Sequence, residues 1–393
     1  MKHLLLRITA LIIVAALLPW LGCAARHDDA TTAQSRFPAP LSDGSAWPTF
    51  RADPNQTGVS ASSLPDRPEL LWRFEAGSAV ESAAIVDGTV YVGTDEGHLL
   101  ALDLRDGHTI WTYKSDNAIK TTPGVHQDLV FVGDQSGVLH AVRVRNGERA
   151  WTFKTGAQIL SSPNFAGKAV LFGSYDTSLY CLGAEDGRLL WSYKTNAEVH
   201  CSPCVFENAV AVAGCDTFVR VINLADGRQN GSVPVESNVA AAPAYLDGRL
   251  YVATNSSGNL FCIDAALAST VWSWEPEEPS PIYASPALGK GLVILAAQDG
   301  SVRALDAIDG KPKWRFDAGA EVQSSPVIVG SRVFFGSSGG KIFGLDLADG
   351  RMVWQFDAGA EVKASPAVAQ GRLVIGSGDG ALYCFGAAGS NSP

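Results

Sequence analysis

Tryptophan recurs along this chain at an interval close to 40 residues, and this recurrence constrains the fold more than any other feature. The repeated positions are Trp72, Trp111, Trp151, Trp191, Trp272, Trp314 and Trp354. One interval is doubled, and Gly231 stands where the missing indole is expected. A period of about 40 residues is typical of propellers and solenoids, so the chain is built from repeated units.

Each unit contains four short apolar runs that read as β-strands. The runs are rich in Val, Ile, Phe, Tyr and Trp, and turn residues such as Asp106-Gly107 and Asn146-Gly147 separate them. These turns suit tight hairpins, because Gly and Asn reach positive φ at little cost. Helical periodicity is absent from the units, so the pattern predicts an all-β fold.

The second run of each unit can be counted eight times. It opens at Val90, Val130, Val170, Val210, Leu250, Leu292, Val333 and Leu373. Eight four-stranded units over residues 69–386 are too many strands for one open sheet, and radial repetition leaves only short, protected edges. We therefore predict an eight-bladed β-propeller.

The two ends of the repeat region predict how the ring closes. The region begins with an unpaired strand, Leu70–Phe74, and finishes with a third strand, Leu382–Phe385, that no fourth strand follows. The first strand is therefore expected to complete the last blade.

The position of tryptophan within the unit points to a family. One large indole per blade, four residues after the glycine of the Asp-Gly turn, can wedge neighbouring blades together. The pattern Leu-Asp-x-x-Asp-Gly-x-x-x-Trp resembles the tryptophan-docking repeat of the pyrroloquinoline quinone (PQQ)-like family, and WD40 and kelch repeats fit it less well. That family contains quinoprotein dehydrogenases and the non-enzymatic, BamB-like lipoproteins of outer-membrane assembly.

The first 22 residues are typical of an export signal. A basic start with Lys2 and Arg7 precedes the apolar stretch 8–18, which is short for a membrane span. Gly22-Cys23 resembles a bacterial lipobox and implies a lipid on Cys23, although Trp20 departs from the usual leucine. Cleavage after Ala25 by signal peptidase I is the alternative.

Three further segments flank the repeats. Residues 23–46 are poor in groups to bury and are predicted to be a disordered, lipid-anchored tether, and residues 387–393 a disordered tail. Residues 47–68 begin with Trp-Pro-Thr-Phe-Arg, which resembles the leader of many PQQ-like propellers. This leader is expected to pack against one face of the ring.

Composition narrows the partners. The chain has 30 basic and 40 acidic residues, a net charge of −10, and no block rich in Lys or Arg. Release of counterions from a phosphate backbone would contribute little, so nucleic acid is not an expected partner. We expect a monomer with protein partners at the cell envelope, exported and held by its lipid at a membrane that faces the periplasm, the outer membrane.

The cysteines fall into two groups. Cys181, Cys262 and Cys384 share one repeat position on a core strand and are expected to be inert thiols. Cys201, Cys204 and Cys215 lie in one blade, and an exported protein can oxidise its cysteines. A disulfide between Cys215 and either of the other two is one interpretation, and a soft-metal site with His200 is another.

The resemblance to the PQQ-like family raises the question of a quinone cofactor. Its dehydrogenases hold PQQ in the central channel with calcium bound by Glu, Asn and Asp, and many stack the quinone on a disulfide of adjacent cysteines. No two cysteines are adjacent here, and the connections between strands are short. We therefore expect neither catalysis nor a cofactor, with a PQQ- and calcium-dependent oxidoreductase as the alternative.

One column of residues varies while its neighbours hardly change. It precedes the small residues of the first run, and we expect it at the start of the innermost strand, around one mouth of the channel. Its members are Glu81, Lys120, Leu160, His200, Ala240, Tyr283, Gln323 and Lys363. The polar members Glu81, Lys120, His200, Tyr283, Gln323 and Lys363 form either a recognition surface or a solvated rim.

Departures from the repeat concentrate in two consecutive blades. Blade 4 has Gly231 in place of tryptophan, and blade 5 replaces its Asp-Gly turn within Ala265–Thr270. An acidic, proline-rich loop, Glu275–Pro281, then precedes blade 6. These changes indicate either drift or a docking region. The function expected overall is a protein-binding scaffold of the envelope, with the oxidoreductase and a ligand-sensing propeller as alternatives.

Overall fold

The computed structural model describes residues 44–389, and all of the regular structure in this range is β. Cys23, the predicted signal segment, most of the predicted tether and the last residues of the tail lie outside the described residues. Between residues 44 and 389, no helix has the length and apolar character needed to cross a membrane.

The described residues form thirty-three strands, most of them three to six residues long. In chain order they are β1 (Val59–Ser60), β2 (Glu69–Glu75), β3 (Ala84–Val86), β4 (Thr89–Gly93), β5 (His98–Asp103), β6 (Thr109–Lys114), β7 (Gly124–His126), β8 (Leu129–Gly133), β9 (Val138–Arg143), β10 (Arg149–Lys154), β11 (Asn164–Ala166), β12 (Ala169–Ser174), β13 (Ser178–Gly183), β14 (Leu189–Lys194), β15 (Cys204–Phe206), β16 (Ala209–Ala213), β17 (Phe218–Asn223), β18 (Gln229–Pro234), β19 (Ala244–Leu246), β20 (Arg249–Ala253), β21 (Leu260–Asp264), β22 (Ser269–Trp274), β23 (Ala287–Gly289), β24 (Leu292–Ala296), β25 (Ser301–Asp306), β26 (Pro312–Asp317), β27 (Val327–Val329), β28 (Arg332–Gly336), β29 (Lys341–Asp346), β30 (Met352–Asp357), β31 (Ala367–Ala369), β32 (Arg372–Gly376) and β33 (Ala381–Gly386).

Thirty-two of these strands form eight four-stranded antiparallel blades, which confirms the predicted propeller, and β1 adds a short parallel strand to the inner edge of blade 7 beside β27. Blades 1 to 7 each use four consecutive strands, starting at β3, β7, β11, β15, β19, β23 and β27. Blade 8 combines β31–β33 with β2, which pairs with β33 from Glu69 opposite Gly386 to Glu75 opposite Ala381. The strand at the start of the repeats therefore completes the last blade, as the sequence predicts.

Because each blade is a meander, its turns alternate between two ends of the ring. The first-to-second turn (Asp87–Gly88 in blade 1) and the third-to-fourth turn (Asp106–Gly107) emerge at one end, here called the leader end. The second-to-third turn (residues 94–97) and the links between blades emerge at the other, here called the mouth end.

Six of the eight blades are joined to the next by an indole that lies on a glycine. In blade 1, Trp111 Nε1 donates to the carbonyl oxygen of Val144 in blade 2 at 2.8 Å. A Cβ added to Gly147, in the turn of blade 2, would lie 2.7 Å from the Trp111 ring, so this turn needs glycine. The same packing pairs Trp72 with Gly107, Trp151 with Gly187, Trp191 with Gly227, Trp272 with Gly310 and Trp314 with Gly350.

A β-bulge precedes the indole position in every blade, and the sequence analysis did not find it. In blade 1, for example, the register between β5 and β6 shifts between Ala101 and Leu102. Bulges increase local twist and redirect a side chain, and this one lies beside the tryptophan that contacts the next blade.

The tryptophan missing from blade 4 and the turn glycine missing from blade 5 are the two partners of a single contact between these blades. Ala268 occupies the turn position that is glycine elsewhere, and it holds a φ of +46°. A Cβ on Gly231 would lie 2.5 Å from the Ala268 Cβ. Where the indole is missing there is room for an alanine in the facing turn, and the alanine in turn leaves no room for an indole.

The indole–glycine contact can be tested at blade 7. Gly350 has a φ of +73°, and a Cβ there would meet the Trp314 ring at 2.5 Å. Gly330 has a φ of +60° and nothing within 4 Å, so Gly330→Ala measures backbone strain alone. We expect Gly350→Ala to lose about 2 kcal/mol more of the free energy of unfolding than Gly330→Ala, as overpacked cores do. Urea denaturation of both variants measures these losses of stability. Equal losses would show that the indole–glycine contact does not limit this position.

Candidate functional site: a channel closed by the leader and an open mouth

The leader runs around the inner edges of the blades at one end of the channel. In six blades, the amide of the middle residue of the innermost strand donates a hydrogen bond to a leader carbonyl. The pairs are Ile85 to Trp47, Val125 to Pro48, Val205 to Pro54, Tyr245 to Asn55, Leu288 to Thr57 and Ile328 to Gly58, at 2.7–2.9 Å. Edge amides buried without a partner are costly, so the leader satisfies groups that the ring itself leaves open.

The leader reaches the remaining two blades through side chains. Thr49 Oγ1 donates to the Pro163 carbonyl in blade 3, and Ser60 Oγ donates to the Val368 carbonyl in blade 8, both at 2.8 Å. Trp47 and Gln56 are 2% and 0% exposed. The fourteen residues from Trp47 to Ser60 thus contact every blade.

A buried arginine lies at the centre of this arrangement. Arg51 is 1% exposed, and its guanidinium donates to the carbonyl oxygens of Pro326 at 2.6 Å and Pro286 at 2.9 Å. Burial lowers the pKa of Arg51 to about 9, against the opposing charge of Asp53. The group remains charged at neutral pH, so the leader end of the channel contains protein chain and a fixed cation.

The variable column lies at the mouth end, but it does not start the innermost strands as the sequence analysis placed it. In blade 1 the strand begins at Ala84, three residues after Glu81. The amides between the column and the strand form hydrogen bonds with the next blade instead. The amide of Thr122 donates to Ser162 Oγ, and the amide of Ser162 donates to Ser202 Oγ, both at 3.0 Å. Because these amides bond sideways, the ladder within the blade starts only after them.

A second column, which the sequence analysis missed, completes the mouth. It is the second residue of each second-to-third turn: Asp95, Gln135, Tyr175, Cys215, Asn255, Gln298, Ser338 and Gly378. Each of these amides donates to the link that leads into the neighbouring strand, as Asp95 does to Ala79 at 3.0 Å. Its variability among constant glycines was the signal that could have found it.

The structure brings some of the expected residues together and leaves others apart. Lys120 Nζ lies 2.6 Å from Asp95 Oδ1 and 3.5 Å from Glu81 Oε1. Tyr175 Oη and His200 Nδ1 are 2.7 Å apart. Among the described residues, Glu81 and Lys120 are the one pair within the variable column itself that is joined by an ion pair or hydrogen bond.

The other column members face solvent or their own blade. Lys363 Nζ pairs with Glu361 at 2.9 Å, and Gln323 Nε2 contacts Glu321 at 3.3 Å. Tyr283 is 42% exposed. The mouth therefore contains a compact charged cluster in blades 1 and 2 and separate polar groups elsewhere.

Burial sets the protonation of two mouth residues. It raises the pKa of Glu81 to about 7, while Lys120 opposes the shift and Asp95 adds to it. Burial also lowers the pKa of His200, which leaves the imidazole neutral at pH 7. A carboxyl that titrates near neutral pH thus lies beside Lys120.

The three cysteines of blade 4 are free thiols, so the suggested disulfide is not formed in this structure. Cys201 Sγ is directed at the Ala213 carbonyl, 2.7 Å away, and Cys204 Sγ at the Asn55 carbonyl of the leader, 3.2 Å away. Cys215 lies in the mouth column. The sulfurs point in different directions, which sequence spacing does not reveal.

The leader end of the channel does not fit a PQQ and calcium site. There the inner edges already bind the chain's own leader, and the positive charge of buried Arg51 opposes the binding of a calcium ion. Within residues 44–389 the one group of His, Cys, Asp or Glu able to share a metal ion is Asp103, Asp106 and His108, on an exposed turn of blade 1. That turn belongs to the third and fourth strands rather than to the channel.

These features define an eight-bladed propeller of the PQQ-like type. A family model described as "Outer membrane protein assembly factor BamB" matches residues 59–174, 135–232 and 216–392. The chain belongs to this family.

Individual relatives agree with this family. The outer membrane protein assembly factor BamB of Xanthomonas campestris is 30% identical over 87 residues, which span 20% of this chain and 21% of that protein. The crystal structure of BamB from Moraxella catarrhalis superposes with a TM-score of 0.70 at 18% identity, covering 82% of this chain and 98% of that one. The quinohemoprotein alcohol dehydrogenase from Comamonas testosteroni gives 0.76 at 15% identity, covering 88% and 81%. At such identities the two structures show a shared fold.

Arg51 provides a test of the leader's contribution. Replacing it with methionine keeps most of the volume but removes the donors to the Pro286 and Pro326 carbonyls. We expect a loss of about 2–3 kcal/mol in the free energy of unfolding, typical of charged hydrogen bonds. The control, Arg105→Met, removes an arginine whose side chain is 73% exposed and should change the stability much less. Equal thermal shifts would contradict the role given to Arg51.

Glu81 provides a test by pH. Its pKa is raised in the folded protein, so the native state binds the proton more tightly than the unfolded chain does. Its contribution to stability is therefore complete below the ordinary value of 4.5 and is lost as the pH rises through about 7. Glu81→Gln should remove this part of the pH dependence of the urea midpoint. Glu361→Gln, at an ion pair 47% exposed, is the control, and an unchanged profile for Glu81→Gln would refute the assignment.

Proposed function

We propose that this protein is a non-enzymatic scaffold that binds other proteins at the bacterial cell envelope and takes part in outer-membrane protein assembly. The observation that carries the proposal is the leader, which occupies the inner edges of the blades. A channel closed by its own chain leaves the mouth and the outer loops as the surfaces available to partners.

Family membership supports the role in assembly. The matching family model and the Xanthomonas campestris relative are both described as outer membrane protein assembly factors. With export signalled by residues 1–22 and a lipid on Cys23, the ring would be held at the outer membrane, on the side that faces the periplasm. These two steps rest on the sequence of residues outside the described range.

The oxidoreductase alternative has less support. The quinohemoprotein alcohol dehydrogenase shares the fold at 15% identity, and fold alone does not carry function. Among residues 44–389, the one group of three His, Cys, Asp or Glu side chains close enough to share a metal ion lies on an exposed turn rather than in the channel.

A titration with cofactor separates the scaffold from the oxidoreductase. We expect purified protein mixed with PQQ and calcium to show no bound chromophore after gel filtration and no heat of binding by calorimetry. Stoichiometric PQQ retained with the protein would overturn the non-enzymatic assignment. A leader variant, Arg51→Met, treated in the same way shows whether any binding depends on an open channel.

A second test addresses partners. Crosslinking of the native protein in its envelope, followed by mass spectrometry, should recover envelope proteins joined to the mouth or outer loops. Crosslinks confined to copies of this chain would contradict a scaffolding role.

A further inference from the structure

A groove lies between blades 5 and 6 at the mouth end. It encloses about 460 Å³ between the acidic loop that follows β22 and the outer strand β26. Trp274, the last residue of β22, forms part of one wall, and Arg315 and Asp299 belong to the other. The groove is therefore lined on one side by the irregular loop that links blades 5 and 6.

The positive charges of the groove are already paired. Arg303 Nη2 contacts Asp299 Oδ2 at 2.9 Å, and its guanidinium lies 5.7 Å from the centre of the Trp274 ring. Arg315 approaches the same carboxylate at 3.6 Å, and Lys313 pairs with Asp306 at 2.9 Å. Each cation of the groove thus has a carboxylate partner.

The negative charges on the opposite wall are not paired. Glu275, Glu277 and Glu278 line the groove, are exposed, and have no ion pair among the described residues. Pro276 and Pro279 restrict the backbone of this loop, so presenting the three carboxylates costs little conformational entropy. The groove thus offers fixed negative charge beside an aromatic side chain.

We propose that this groove binds a basic, extended peptide segment of a protein partner. Lysine or arginine ammonium and guanidinium groups pair with the three carboxylates, while their aliphatic stems lie against Trp274. An acidic segment is repelled, because the only cations of the groove already hold Asp299 and Asp306. This inference rests on the proposed scaffolding function, for which it names the chemistry of one partner.

The test measures binding of a fluorescent peptide of alternating Lys and Ser to the purified protein by anisotropy. A peptide with Glu in place of Lys is the second probe. The groove variant is Glu275→Gln, Glu277→Gln and Glu278→Gln in one chain. The matched control is Glu69→Gln, Glu148→Gln and Glu185→Gln, which changes the net charge equally at exposed carboxylates outside the groove.

We expect the basic peptide to bind the native protein, to bind the groove variant about tenfold more weakly, and to bind the control nearly as well as the native protein. Higher salt should reduce the native affinity. Equal weakening in both variants, no binding of the basic peptide, or equal binding of the acidic peptide would overturn the inference. If the native protein binds no basic peptide but still crosslinks to other envelope proteins, the groove inference is wrong and the scaffolding function stands. If the native protein crosslinks to no other envelope protein, the scaffolding function itself is wrong.

Discussion

The contact between an indole and the glycine of the next blade is the interaction on which the ring depends. It explains why tryptophan and the Asp-Gly turn recur together, since the ring of Trp111 leaves no space for a Cβ at Gly147. It also explains the exception in blades 4 and 5, where Gly231 and Ala268 replace both partners at once. The last contact joins the two ends of the repeats, because Trp354 Nε1 donates to the carbonyl of Pro68, just before β2. A repeat that lacks its own turn is thereby fastened by the start of the chain.

Closing the ring creates a second requirement, which the leader meets. Innermost strands present one edge to the channel, and their amides need acceptors that the blades cannot supply. The leader provides them in six blades and places the charge of Arg51 between blades 6 and 7. The leader thus occupies the inner edges of the blades at one end of the channel. At the other end, the residues of the two mouth columns vary from blade to blade without disturbing the indole–glycine contacts.

The periodic part of the structure could be predicted from the sequence, and the non-periodic part could not. Blade number, strand order and closure by β2 follow from repeated Val, Trp and Gly positions. The leader's path could not be predicted, because its partners, such as Ile85 and Ile328, lie far away in sequence and no repeat relates them to it. The contact of Lys120 with Asp95 joins two blades and two different columns, so reading one column at a time missed it. The sequence spacing shows that Cys201 and Cys215 lie in one blade. It does not show that their thiols stay unpaired.

Closure of one end of the channel by the leader predicts that particular amides of the innermost strands are protected from hydrogen exchange. Hydrogen exchange in the intact protein measures whether the amides of Ile85, Val125, Val205, Tyr245, Leu288 and Ile328 are protected. The account predicts that all six exchange slowly, as slowly as the amides in the middle of the blades, because each donates to a buried leader carbonyl. Fast exchange at these positions, with slow exchange kept in the second and third strands, would show an open channel and would contradict the account.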